Sequence, residues 1–190
     1  MRFLLAIVLA GCGQLFGLQE VKLDADAAVD AFDPQTHCLP GYDHPFGDSR
    51  YRILTLALPA LAQHDICRDD LAGVTHLAVI SSPSEQSHLM QLVNAQPGQR
   101  AYVGLVQSRA AAEVNQYWLS VTGEQQGWVW GPNEPDDVDM IEIDHYEQFA
   151  MFLGATGLVD YDGDINIPAL CECDGRGISE EARTAIDVYR

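Results

Sequence analysis

The chain is 190 residues long, enough for one ordinary domain with its own core and too short for two comfortable ones. Its 10 Lys+Arg against 28 Asp+Glu give a formal charge of −18, which argues against a nucleic-acid partner and against electrostatic docking on anionic lipid. With 47% apolar and 8% aromatic residues the bulk is globular, and a cation is the natural electrostatic partner.

Residues 1–12 read MRFLLAIVLAGC, a charged Arg2 followed by an apolar stretch from Phe3 to Ala10. That stretch is too short to span ~30 Å of hydrocarbon, so it reads as a signal peptide covering residues 1–11. The sequence Leu9-Ala10-Gly11-Cys12 resembles the bacterial lipobox. The resemblance implies that Cys12 is acylated after cleavage and that its acyl chains hold the protein on a membrane. A bacterial cell-envelope location follows as an expectation. Gly13, in place of an Asp, favours the outer membrane or cell surface. Four cysteines then remain, Cys38, Cys67, Cys171 and Cys173, and four allow three pairings. In an exported chain disulfides persist.

Residues 12–37 hold the acylated Cys and five acids, and read as an acidic tether, its aspartates a solvated charge run. The globular texture begins at Cys38. Residues 51–58 (YRILTLAL) are expected to form a strand. Residues 59–72 start with Pro and stop before Gly73, which predicts a helix with Cys67 on its inner face. His76–Ile80 reads as a strand, with His76 packed or capped. Ser82-Pro83-Ser84-Glu85 opens a second helix with an apolar face of Leu89, Leu92 and Val93. Ala101–Leu105 is another short strand. Asp144–Leu153 is open between helix and covered strand, and residues 174–190 read as a polar, weakly helical tail. Helices early and short strands later give an α+β class.

The order of these pieces resembles the C-type lectin-like domain over residues 38–173. Cys67 precedes Gly73-Val74-Thr75-His76-Leu77-Ala78-Val79-Ile80, similar to the family's first helix and following strand. Glu85, Leu89 and Leu92 match its second helix. Tyr102-Val103-Gly104-Leu105, Trp118-Leu119-Ser120-Val121-Thr122-Gly123-Glu124 and Ala169-Leu170-Cys171-Glu172 follow in the family's order. The resemblance implies a Cys67–Cys171 bridge from first helix to last strand. Cys38 stands where long-form members carry an N-terminal Cys but lacks the usual nearby partner, leaving Cys173 as the candidate. The family's second common bridge, inside the long loop, has no cysteines here.

Calcium-binding members carry E-P-N or Q-P-D in the long loop. Here the loop reads Trp128-Val129-Trp130-Gly131-Pro132-Asn133-Glu134-Pro135-Asp136-Asp137, an E-P-D hybrid. The resemblance assigns Glu134, Asp136, Glu142 and Asp160 as Ca²⁺ ligands, because that ion takes six to eight oxygens. It assigns Glu134, Asp136 and Trp130 to ligand binding. The downstream segment Leu158-Val159-Asp160 keeps the Asp but has Val159 where an amide belongs. A shifted register onto Tyr161-Asp162 restores an acid and not the amide. Trp118, Trp128, Trp130 and Tyr117 could stack on sugar rings, although at least two of the three Trp read as core. Independently of the resemblance, no Lys or Arg occurs between Arg109 and Arg176, while residues 134–164 hold ten acids. Such crowding destabilises a fold unless it is solvated or neutralised by an ion.

Asp160-Tyr161-Asp162-Gly163-Asp164 fails as an EF-hand, since Ile165 and Cys171 fall where Gly and Glu are required. No G-x-S-x-G, H-E-x-x-H or P-loop is present, so no enzyme is expected. The expectation is a lipid-anchored domain binding an extracellular ligand, carbohydrate with Ca²⁺. Its alternative is a calcium-independent protein-interaction or structural module on the same fold.

Overall fold

The computed structural model describes residues 32–108, 118–123, 127–136 and 148–190. Within these the class is α+β. The first half holds α1 (Pro34–His37), β1 (His44–Phe46), β2 (Ser49–Leu58), α2 (Ala60–Asp70), β3 (Thr75–Leu77), α3 (Pro83–Asn94) and β4 (Arg100–Gln107). After it come β5 (Trp118–Ser120), β6 (Phe149–Leu153), a 3-10 turn (Gly154–Thr156), β7 (Gly157–Tyr161), β8 (Ile167–Cys173) and α4 (Glu180–Asp187).

The helices start where their sequence chemistry provides. At α3, the Ser82 side chain accepts a hydrogen bond from Glu85 N at 3.2 Å and Pro83 opens the first turn, satisfying an orphan N–H at the helix end. The α2 helix has no side-chain cap. It is pinned instead by buried Gln63, whose Nε2 donates to Leu56 O and Ile167 O at 2.6 Å each.

The sheet runs β1-β2-β8-β4-β6-β7, with β3 on β8 and β5 on β4. Strand β8 is its hub. It pairs antiparallel with β2 through Arg52↔Cys171 and Leu54↔Ala169, and with β3 through Leu77↔Cys171. Strands from the two ends of the folded unit therefore lie side by side. Alternation along β8 sorts its residues between two cores. Ile167, Ala169, Cys171 and Cys173 enter one, with Tyr102, Val106 and Met151, and Leu170 enters the other, with Leu89, Val93, Val103 and Phe152.

Two disulfides fasten this hub, Cys38–Cys173 with Cα atoms 6.0 Å apart and Cys67–Cys171 at 5.3 Å. These are the pairs implied by the resemblance. Closing one loop of this length restricts the unfolded chain by about 5 kcal/mol in the chain-entropy account.

Three boundaries differ from expectation, and one open choice between helix and strand is decided. The strand expected over 76–80 is regular only through Leu77, and beyond it the buried chain is held by single bonds such as Ala78 N to Leu170 O at 2.9 Å. Phe149–Leu153 is a strand, paired on both sides by β4 and β7, and Asp144–Glu147 lie outside the described residues. The tail is not a loose polar extension. Ala182, Ala185 and Ile186 of α4 are buried, and Tyr189 packs edge-on against Phe149 with its hydroxyl donating to Gln107 O at 2.8 Å. At the other end, Phe32 and α1 belong to the same compact unit as the domain, so the last residues of the expected tether are folded.

Candidate carboxylate loop site

The loop after Gly127 is held from behind by α3. Gln86, nearly buried on that helix, donates from Nε2 to Val129 O at 2.6 Å and accepts from Val129 N at 2.7 Å. One side-chain amide thus satisfies both backbone polar groups of Val129. The loop then runs beside β7, with a parallel bridge Trp130↔Leu158 and Gly131 N donating to Leu158 O at 2.7 Å. A Cβ on Gly131 would lie 2.6 Å from Thr156 O, so only glycine permits this approach. Trp130 packs edge-on to Trp118, ring centroids 4.8 Å apart. All three Trp rest on the core, and Tyr117 lies outside the described residues.

This path delivers the acids. The Glu134–Pro135 peptide is cis, and Asn133 takes a φ of 67°, a left-handed conformation that Asn tolerates. Asp160 comes from the middle of β7, paired with Ala150 and almost fully buried. Asp136 N donates to Asp160 Oδ1 at 3.2 Å. Carboxylate oxygens of Glu134, Asp136 and Asp160 all lie within 4.8 Å of one another. Three of the four sequence-assigned ligands are therefore together, and Glu142 lies outside the described residues. Loss of water, a hydrogen bond with Asp160 and the charges of Asp136 and Asp160 push the Glu134 carboxyl up to about 7. Without a cation, the group favours holding a proton.

Alternation along β7 places the neighbours Val159 and Asp160 on different faces. Asp160 shares the strand face of Leu158, whereas Val159 lies on the opposite face, in the core cluster of Tyr102 and Met151. Asp162 is not in the triad; its carbonyl accepts from Tyr102 OH at 2.6 Å. Three carboxylates supply up to six oxygens when bidentate, so the donor set fits a hard cation such as Ca²⁺. Sequence reasoning missed Gln86, because a Gln on the inward side of an amphipathic helix gives no signal until its backbone partner is known.

A second cluster, His76, Glu172 and Asp174, also brings its ligand atoms within 4.8 Å. Buried His76 directs Nδ1 at Leu77 O (2.8 Å) and Nε2 at Asp174 Oδ1 (3.1 Å). Both partners are acceptors, so both ring nitrogens carry protons and the ring is a cation. Burial pulls its pKa down, but the Asp174 hydrogen bond and the Glu172 charge hold it above the ordinary value. Arg176 pairs with both Asp174 and Glu172. Glu172 accepts from Val79 N at 2.8 Å and Ser49 Oγ at 2.6 Å. These charges are already matched.

The fold is that of C-type lectin-like domains. Among solved structures, the chain is similar to the mouse scavenger receptor C-type lectin carbohydrate-recognition domain (21% identity, TM-score 0.59, covering 71% of this chain and 96% of that one). It is similar also to the cow CD23 carbohydrate-recognition domain solved in the presence of an oligosaccharide (21%, 0.56, 71% and 94%). The Ca²⁺-independent C-type lectin SPL-2 from Saxidomus purpuratus matches at 16% and 0.60, over 76% and 97%. No family model and no curated protein matches the sequence. Among the described residues, no helix is long and apolar enough to cross a membrane.

Proposed function

We propose that this domain binds carbohydrate outside the cell through a Ca²⁺ ion held by Glu134, Asp136 and Asp160. The convergence of these three carboxylates carries the reading. When bound, the ion would neutralise the acids and accept sugar hydroxyls as further ligands, while the carboxylates of Glu134 and Asp136 would accept hydrogen bonds from the same hydroxyls. Trp130, which packs edge-on to Trp118, lies four residues before Glu134 in the same loop. Cys12, outside the described residues, would anchor the chain in the bacterial envelope by acylation, and no catalytic role is assigned.

Calorimetric titration with Ca²⁺, with an EGTA-treated control, tests the site. Saturable binding that is lost in Glu134→Gln supports it. No heat and no change in melting temperature with Ca²⁺ overturns it. A second reading, a calcium-independent interaction module on the same fold, is favoured by Val159, whose place in the core removes the amide ligand expected beside Asp160. Glycan binding that persists in EGTA selects that reading. For the anchor, Cys12→Ser should abolish acyl labelling and release the protein, and unchanged membrane retention would refute it.

A further inference from the structure

The loop that carries Glu134 and Asp136 leans on the first turn of α3, and the contact is polar. Val129 turns its side chain outward, 59% exposed, so little apolar burial holds it there. What holds it is Gln86, itself only 8% exposed, through the bonds at 2.6 and 2.7 Å to the carbonyl and N–H of Val129. An amide that binds both groups of one residue fixes the orientation of the backbone there as well as its distance.

The preceding residue of the helix braces the ground under the same loop. Glu85 accepts from Ser81 N at 2.6 Å and from the Ser81 hydroxyl, and its other oxygen accepts from buried Tyr51. The chain at Ile80 and Ser81 is the surface on which Gly127 lies, so closely that a Cβ on Gly127 would collide with Ile80 O and the Ser81 backbone. Glu85 therefore fixes this floor, and Gln86 fixes the loop above it.

From Val129 the orientation passes to the acids over a short path with few free joints. Gly131 N donates to Leu158 O at 2.7 Å, and Glu134 N closes a turn onto Gly131 O at 3.2 Å. Pro135 is buried, and Asp136 N reaches Asp160 Oδ1 at 3.2 Å. Asp160 is placed by β7 through its pairing with Ala150. Assembly of the three carboxylates, which repel one another when ionised, thus depends on where the loop brings the other two.

We propose that Gln86 is the positioning residue of the carboxylate site. It holds the loop in the assembled arrangement before any cation arrives, and so sets the affinity of the site through the loop rather than through contact with the ion. A site whose competent arrangement is populated in only a fraction of molecules binds more weakly by that fraction. The affinity part of this rests on the Ca²⁺ reading above; the assembly part does not.

The test follows amide hydrogen exchange of the full chain in EGTA, and then a calorimetric Ca²⁺ titration, in the wild type and in Gln86→Met, which keeps the length of the side chain and removes both bonds. The N–H groups of Gly131 and Asp136 should exchange at least about tenfold faster in the variant, the scale of one or two neutral hydrogen bonds. Ala78 N–H, bonded to Leu170 O at the hub of the sheet, should be nearly unchanged. The Ca²⁺ dissociation constant should rise about tenfold. Gln86→Asn, one methylene shorter, carries the same expectation should Gln86→Met fail to fold. Unchanged exchange at Asp136, an acceleration at Ala78 equal to that at Asp136, or an unchanged dissociation constant overturns the proposal. A wild type that binds no Ca²⁺ overturns the calcium reading instead, and the exchange rates alone then decide the role of Gln86.

Discussion

Glu172 and Asp174 meet His76 and Arg176 inside the unit, whereas Glu134 and Asp136 of the loop converge on Asp160 of β7, in a stretch whose sequence has no Lys or Arg between Arg109 and Arg176. In both clusters the ligand atoms lie within 4.8 Å of one another, yet their chemistry differs. In the first, the chain supplies its own cations and the backbone of Val79 fills a carboxylate lone pair. Glu134 and Glu172 are both raised to about 7, first by burial, but Glu172 has the cations His76 and Arg176 beside it, whereas at Glu134 two neighbouring carboxylates add to the rise and a bound ion would relieve all three. Spacing of acids alone therefore does not identify a metal site; the charge that accompanies them does.

The contrast can be broken by mutation. Glu172→Ala leaves the Val79 N–H and the Ser49 hydroxyl without their buried acceptor, and is expected to cost about 3–5 kcal/mol in urea denaturation. A loss below about 1 kcal/mol would place this cluster with ordinary surface pairs. At the loop, Ca²⁺ at a hundredfold excess over its dissociation constant should add about 2.7 kcal/mol of stability. That gain should vanish in Asp136→Ala.

A smaller effect is expected from pH. The fully buried Glu172 carboxyl is raised to about 7, first by loss of water, with the charge of Asp174 adding to it. A raised pKa means that its contribution is complete below the ordinary 4.5 and is lost as pH rises through 7. His76, also raised, loses its contribution in the same direction. Asp174 is the opposite case. Burial pushes it up, but the His76 hydrogen bond and charge win and hold it at about 2, so its contribution fades as pH falls from 3.8 towards that value. The melting temperature should therefore be higher near about pH 5.5 than near about pH 8.5. The reverse order would show that the cluster is not the dominant titrating unit. Smallest of all, Asp136→Ala without Ca²⁺ should change stability by less than about 1 kcal/mol, because the residue is exposed.

Much of this was legible in the residues. YRILTLAL announces β2 through its apolar and β-branched content, and Ser82-Pro83 marks the start of α3. Glu134-Pro135-Asp136 marked the loop through its resemblance to the E-P-N and Q-P-D motifs of C-type lectins. The tail read as weakly helical, but the docking of α4 escaped because its buried positions are mostly small, Ala182 and Ala185, and burial of Ala depends on what it meets rather than on its own hydropathy. His76 read correctly as a packed residue, but its cationic state required the two acceptors that only the fold brings to it. Glu85 read as a helix-start acid; in the structure it also accepts from buried Tyr51. Such polar contacts between distant segments carry no periodicity.

The Cys38–Cys173 bridge has a mechanical meaning. A pull on the chain anywhere before Cys38 passes through sulfur directly into β8, and from there through Cys171–Cys67 into α2. A load between that end of the chain and a ligand held by Glu134 and Asp136 therefore enters the fold covalently at β8 and crosses from there to the loop through the hydrogen-bonded strands β4, β6 and β7. Those pairings, and not the two bridges, set how much pull the site withstands.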